Sequence, residues 1–182
     1  MNQVLTWSER ALGAPGSAVL CCVEGSRPIL VEVQALVSAS TYGNPRRMAI
    51  GIDQNRVSLL LAVLEKRAGL TLAGDDVYVN IAGGMNVEEP AADLSVVAAV
   101  ASSVRNRSLA PSTAIFGEVG LSGEIRGTPQ ATLRVREALQ MGFTRVVMPA
   151  ANLASSDPSL QGAGCDLVGV RTVGEALDQL LT

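Results

Sequence analysis

Residues 77–95 read VYVNIAGGMNVEEPAADLS, and the fold turns on how this stretch is parsed. Val77, Val79 and Ile81 alternate with polar neighbours, the pattern of a strand with one buried face. The glycine pair Gly83-Gly84 and the acidic turn Glu88-Glu89-Pro90 follow. Pro90 suits the first turn of a helix, where a missing N–H breaks no bond. The helix expected over about 91–106 carries Leu94, Val96, Val97, Val100 and Val104, so it is apolar on nearly every side and reads as central and buried. A strand that runs through a glycine turn into a helix N-terminus is a place where α/β proteins keep ligands and chemistry.

Working outward, AVLCCVE at 18–24 and ILVEVQALV at 29–37 read as two strands of a hairpin with a four-residue turn, 25–28. Glu32 and Gln34 alternate with apolar residues, which predicts a wetter face on the second strand. A strand over 47–52 leads to Asp53 as a helix N-cap, with Val57, Leu60, Leu61 and Leu64 at helical spacing and Gly69 as the stop. Downstream, TAIFGEV at 113–119 reads as one strand, 124–126 as a short one, and 130–141 as a helix opened by Thr128-Pro129. Strands at 145–149 and 166–170 follow, and then a helix capped by Thr172. Alternating strands and helices after a hairpin predict an α/β (α+β) fold, a mixed sheet with packed helices.

The chain has 182 residues, enough for one domain with a well-filled core. Residues 14–182 read as that domain and the polar segment 1–13 as a linker. Cys21, Cys22 and Cys165 form no CxxC pair and read as reduced thiols packed as small apolar groups, which fits a cytoplasmic protein. There is no signal-peptide pattern and no apolar run long enough to span a bilayer, so no membrane partner is expected.

The chain has no histidine, which excludes Ser-His-Asp and Cys-His catalysis. Its one lysine, Lys66, lies between Glu65 and Arg67 and reads as part of a solvated helix end. Gly83-Gly84 belongs to no P-loop or GxGxxG motif, and Glu88 and Glu89 would repel a phosphate there; the two glutamates read as partners of the helix dipole. No zinc-ligand spacing is present, so no metal site is expected. Thirteen arginines stand against one lysine. Arg46, Arg47, Arg56, Arg105 and Arg107, and further on Arg134 and Arg136, are candidates for phosphate contacts or inter-subunit ion pairs.

Taken in order, GSRPILVEVQALV, YGNPRRMAIGIDQNRVSLLLAVLEKRAGL, VYVNIAGG, DLSVVAAVASSVRNR, FGEVGLSGEIR and VVMPAAN resemble the C-terminal domain of the bacterial RadA (Sms) DNA-repair family over about residues 14–181. That domain is similar to the proteolytic domain of Lon, which implies a ribosomal protein S5 domain 2-like fold. The Lon nucleophile motif Pro-Lys-Asp-Gly-Pro-Ser-Ala-Gly falls on 87–94, so Ala92 stands at the serine position. The run 117–123, GEVGLSG, keeps the Lon pattern, and the activating lysine falls at Thr132. Both members of the dyad are therefore missing, and Ser95 has no base beside it, so no peptidase activity is expected.

The resemblance implies a module of a hexameric, ATP-driven protein that acts on single-stranded or branched DNA in recombination, together with RecA recombinase. ATP, Mg and Zn would belong to an amino-terminal zinc finger and a RecA-like ATPase domain, whose motifs this chain lacks. The domain itself is expected to bind no cofactor, to assemble as a homo-oligomer and to contact DNA. Two further readings stay open: a purely structural assembly domain, and a serine peptidase with relocated groups.

Overall fold

The hairpin pairs β1 (Ser17–Glu24) with β2 (Arg27–Ala39), and Glu24 lies opposite Arg27. The turn is thus the two residues Gly25-Ser26 rather than four, because Arg27 and Pro28 are already in the ladder. β4 pairs with β2 only from Val33 onward, so the missing N–H of Pro28 interrupts no bond to β4. The structure, a computed structural model, describes residues 13–41, 43–162 and 164–181; the expected linker lies outside them except for Gly13.

Seven strands form one sheet in the order β3-β4-β2-β1-β5-β8-β9. Here β3 is Arg47–Ile50, β4 Asp75–Ile81, β5 Thr113–Ile115, β8 Arg145–Pro149 and β9 Asp166–Val170. The β1/β2 and β2/β4 pairs are antiparallel. The β3/β4, β1/β5, β5/β8 and β8/β9 pairs are parallel. The sheet is mixed, as expected. A separate small ladder joins β6 (Glu118–Val119) to β7 (Ile125–Arg126).

α1 (Gln54–Ala68) starts at Asp53, whose carboxylate accepts the Asn55 N–H, and stops at Gly69 in the left-handed conformation. α2 (Asp93–Arg105) lies across β1, β2 and β4 and also meets α1 and α5 (Val173–Leu180). Every residue from Asp93 to Ser102 is buried, as an all-round apolar helix requires. α3 (Ala131–Gln140) packs on β1 and β2, and α4 (Ala150–Ala154) on β8 and β9.

Two strand expectations need correction. The stretch 113–119 is not one strand but β5 and β6, because Gly117 leaves the sheet to bind the entrance of α2. Its N–H donates to the Ala91 carbonyl (2.9 Å) and its carbonyl accepts the Leu94 N–H (3.0 Å). The wetter face of β2 is there at Gln34 and Leu36, which are exposed, but Glu32 does not share it: it is 3% exposed, beneath Gln34 on the same side of the strand.

Candidate functional site

The segment after β4 makes a 3-10 turn at Ala82–Gly84, runs past Val87, makes a second 3-10 turn at Pro90–Ala92 and enters α2. The Val87 N–H donates to the Gly51 carbonyl at 2.7 Å, tying the strap to the loop before α1. Gly51 must be glycine here. Its φ is +82°, and a Cβ would sit 2.5 Å from the Met85 carbonyl oxygen and 2.8 Å from the Ile81 Cβ. A cleft of about 570 Å³ lies along this strap, lined among others by Asp53, Arg56, Glu88, Glu89 and Asp93. A neighbouring cleft of about 410 Å³ on the Cys22–Glu24 side shares Asn86–Glu89 with it.

Two arginines pin the ends of this segment. Asp93, buried in the first turn of α2, accepts Arg56 Nε at 2.9 Å and pairs with Nη2 of the same guanidinium. Its Oδ2 also accepts the Val119 N–H at 3.0 Å. Asp93 carries negative charge at the positive end of the helix dipole, and the Asp93 hydrogen bond raises the Arg56 pKa further. At the other end Glu89 accepts Arg134 Nη1 at 2.6 Å and Nη2 at 2.9 Å, and takes the Val23 N–H at 2.9 Å. Arg134 is 0% exposed and also donates to the carbonyls of Cys21 (3.0 Å) and Pro129 (3.1 Å). The Phe116 ring lies 5.5 Å from its guanidinium carbon. A bidentate pair with two further donors bound to carbonyls is a form in which a buried charge is tolerated.

Ala92 lies between these clamps and is 1% exposed. Thr132 is half-buried on α3, two residues before Arg134. No described group near Ala92 combines a nucleophile with a base. Ser95 is fully buried and its hydroxyl donates to the Ile115 carbonyl at 3.1 Å. Burial pushes the Cys22 thiol up to about 12 and the Cys21 thiol higher still, so neither is a thiolate at neutral pH. Lys66 is exposed near the end of α1, about 20 Å along the helix axis from Asp53 at the cleft.

Glu89 and Arg134 therefore do something other than the sequence suggested. Glu89 is not a free dipole partner, and Arg134 is no surface cation. The signal was present in α3: Arg134 lies on the same helical face as the buried Val135 and Ala138. Asp93, which the sequence reading passed over, is the third member of the arrangement.

The five arginines expected to contact DNA divide between two ends of the sheet. The Ser103 hydroxyl accepts the Val37 N–H, Val37 pairs with Val77, and the Val77 N–H donates to the Arg46 carbonyl. Arg46, Arg47 and the end of α2 with Arg105 and Arg107 are thereby gathered at one end. Arg56 stands at the opposite end, beside the strap, although it is close to Arg46 in sequence. Arg46, Arg105 and Arg107 are exposed. Arg47 is half-buried and donates Nη2 to the Leu72 carbonyl at 2.8 Å. Acidic residues temper this end, since Asp76 accepts the Arg46 backbone N–H at 2.7 Å. Among the described residues no cluster of three or more His, Cys, Asp or Glu could hold a metal ion, and no helix is long and apolar enough to cross a membrane.

A family model described as "Subunit ChlI of Mg-chelatase" matches residues 33–152. Proteins named DNA repair protein RadA are similar through nearly the whole chain. That of Bacillus subtilis (strain 168) is 51% identical over 169 residues, covering 93% of this chain and 36% of its own length. That of Halalkalibacterium halodurans is 48% identical over 174 residues, covering 95% and 37%. That of Listeria monocytogenes is 47% identical over 173 residues, again covering 95% and 37%. The chain thus spans little more than a third of the curated relatives it matches.

Proposed function

The chain belongs to the family described as subunit ChlI of Mg-chelatase and is homologous through nearly all its length to RadA DNA repair proteins, and from that premise we propose that it is a proteolytically inactive, Lon-like module of a DNA repair ATPase, serving as an assembly scaffold and a DNA-contacting platform. The observation that carries the first part is the pinned segment 89–93. Alanine stands at the nucleophile position and threonine at the base position, while Arg134 and Arg56 tie the surrounding backbone to α3 and α1. A site tied in this way holds shape and has no group to attack a peptide. The acidic strap, with Glu88 exposed at its rim, also disfavours phosphate.

The DNA contact rests on Arg46, Arg105 and Arg107 at the other end of the sheet. Arg56 is engaged with Asp93 at the strap, and Arg47 has one guanidinium arm committed to a carbonyl. The alternative of assembly without DNA contact draws support from the net charge of −3 and from Asp75 and Asp76 beside Arg46. The test is size-exclusion chromatography with light scattering, with and without a labelled single-stranded oligonucleotide. The reading expects a species larger than a monomer, hexameric in the full protein, that carries DNA at low salt. A monomer that leaves the DNA behind removes it.

A further inference from the structure

The face of the sheet not covered by α2 holds a separate pocket, of about 310 Å³, far from the strap in its lining and unused by the reading above. Its floor is Glu32 and Ser17, its walls Gln34, Leu36, Tyr78 and Asn80. Glu32 is 3% exposed, yet no cation pairs with it among the described residues. Its Oε1 accepts Gln34 Nε2 at 2.8 Å, and Gln34 Oε1 in turn accepts Asn80 Nδ2 at 3.3 Å. That relay orients one carboxylate oxygen and leaves the other without a described partner. The Ser17 hydroxyl, also buried, has no hydrogen-bond partner among the described residues. A buried carboxylate with no cation and a buried hydroxyl with no partner together ask for a charged, multi-donor group from outside.

The surface around the pocket is apolar. Leu36 lies opposite Tyr78 across β2 and β4, and Tyr78 lies opposite Met48 across β4 and β3. Leu36 is 61% exposed and Ile50, two residues beyond Met48, is 58% exposed. Among the described residues, three of the five exposed large apolar side chains, Leu36, Met48 and Ile50, share this face, so it is a patch and not scatter. An apolar surface with one desolvated charge in a pocket is the anatomy of a protein contact with a buried anchor.

We propose that this face is where a second copy of the chain docks, with one of its arginines entering the Glu32–Ser17 pocket. Charge complementarity selects the occupant. Thirteen of the fourteen cations are arginine, and Arg27, Arg67 and Arg126 are exposed and make no ion pair with another described residue. A guanidinium offers parallel donors for a carboxylate and a hydroxyl, and its flat face suits the Tyr78 ring beside it. The proposal rests on the scaffold reading and gives it a surface.

Self-association of the purified chain is measured by sedimentation velocity up to about 100 μM, a range that captures weak protein contacts. Glu32→Gln keeps the shape and the Gln34 bond, and Leu36→Ser alters only an exposed side chain. Each is expected to weaken association by about tenfold or more, with unchanged circular dichroism, and Glu32→Gln to flatten its salt dependence. Should the chain associate while both variants behave as wild type, this docking face is overturned and the scaffold reading stands. Should the wild type stay monomeric throughout, both are overturned.

Discussion

Breaking the Glu89–Arg134 pair is the sharpest perturbation of the strap, and its size follows from the unequal burial of the partners. Glu89→Leu strands the fully buried guanidinium of Arg134 and removes the acceptor of the Val23 N–H. Stranding a buried charge costs about 3–5 kcal/mol, and the complete burial of Arg134 puts this variant near the upper end. Arg134→Met strands Glu89 instead, but that side chain is 23% exposed and can recover some hydration, so about 3 kcal/mol is expected. For a chain of 182 residues, 4 kcal/mol corresponds to a fall in Tm of roughly 8–16 °C. The double variant Glu89→Leu/Arg134→Met leaves no unpaired charge and should lose about 2 kcal/mol less than the sum of the singles. Urea unfolding followed by far-ultraviolet circular dichroism reads this directly. Strictly additive singles, or a cost below about 1 kcal/mol for Glu89→Leu, would refute the pinned-segment account.

Arg56→Ala strands buried Asp93 with only the Val119 N–H, and the melting temperature should fall by an amount similar to Arg134→Met. Gly51→Ala forces a Cβ onto the Met85 carbonyl, and a loss of at least about 2 kcal/mol is expected in the same urea titration. Cys22 has its folded pKa raised to about 12 and Cys21 higher still, so above pH 9 the unfolded chain releases protons that the native one keeps. Stability is therefore full below pH 9 and falls by up to about 1.4 kcal/mol per pH unit per thiol as pH rises beyond it; Cys21→Ala/Cys22→Ala should flatten that slope. In a casein and peptide hydrolysis assay no turnover is expected from wild type or from Ala92→Ser, and turnover abolished by Ser95→Ala would contradict the missing dyad.

Periodicity made the architecture legible because the large elements carry strong patterns. The all-round apolar helix 93–105, the Asp53 and Thr172 caps and the alternation of Val77, Val79 and Ile81 each have a local physical cause. The pinned segment was only half legible. Ala92 and Thr132 could be placed by laying motifs on the chain, whereas the Glu89–Arg134 and Asp93–Arg56 pairs span 45 and 37 residues, and the helical face of α3 marks Arg134 as buried without naming its partner. Gly117 misled for the same reason: its bonds to Ala91 and Leu94 divide what reads as one strand. Sequence proximity likewise grouped Arg56 with Arg46, and the parallel β3/β4 pair carries the chain the length of the sheet between them.

Salt-titrated binding of labelled single-stranded DNA, read by anisotropy, tests the central claim most directly. Each phosphate contact contributes about 0.7 to the slope of log K against log salt. The account predicts measurable binding at low salt and a slope reduced by about 1.4 in Arg105→Ala/Arg107→Ala. Absence of binding at low salt, or an unchanged slope in that variant, would contradict it.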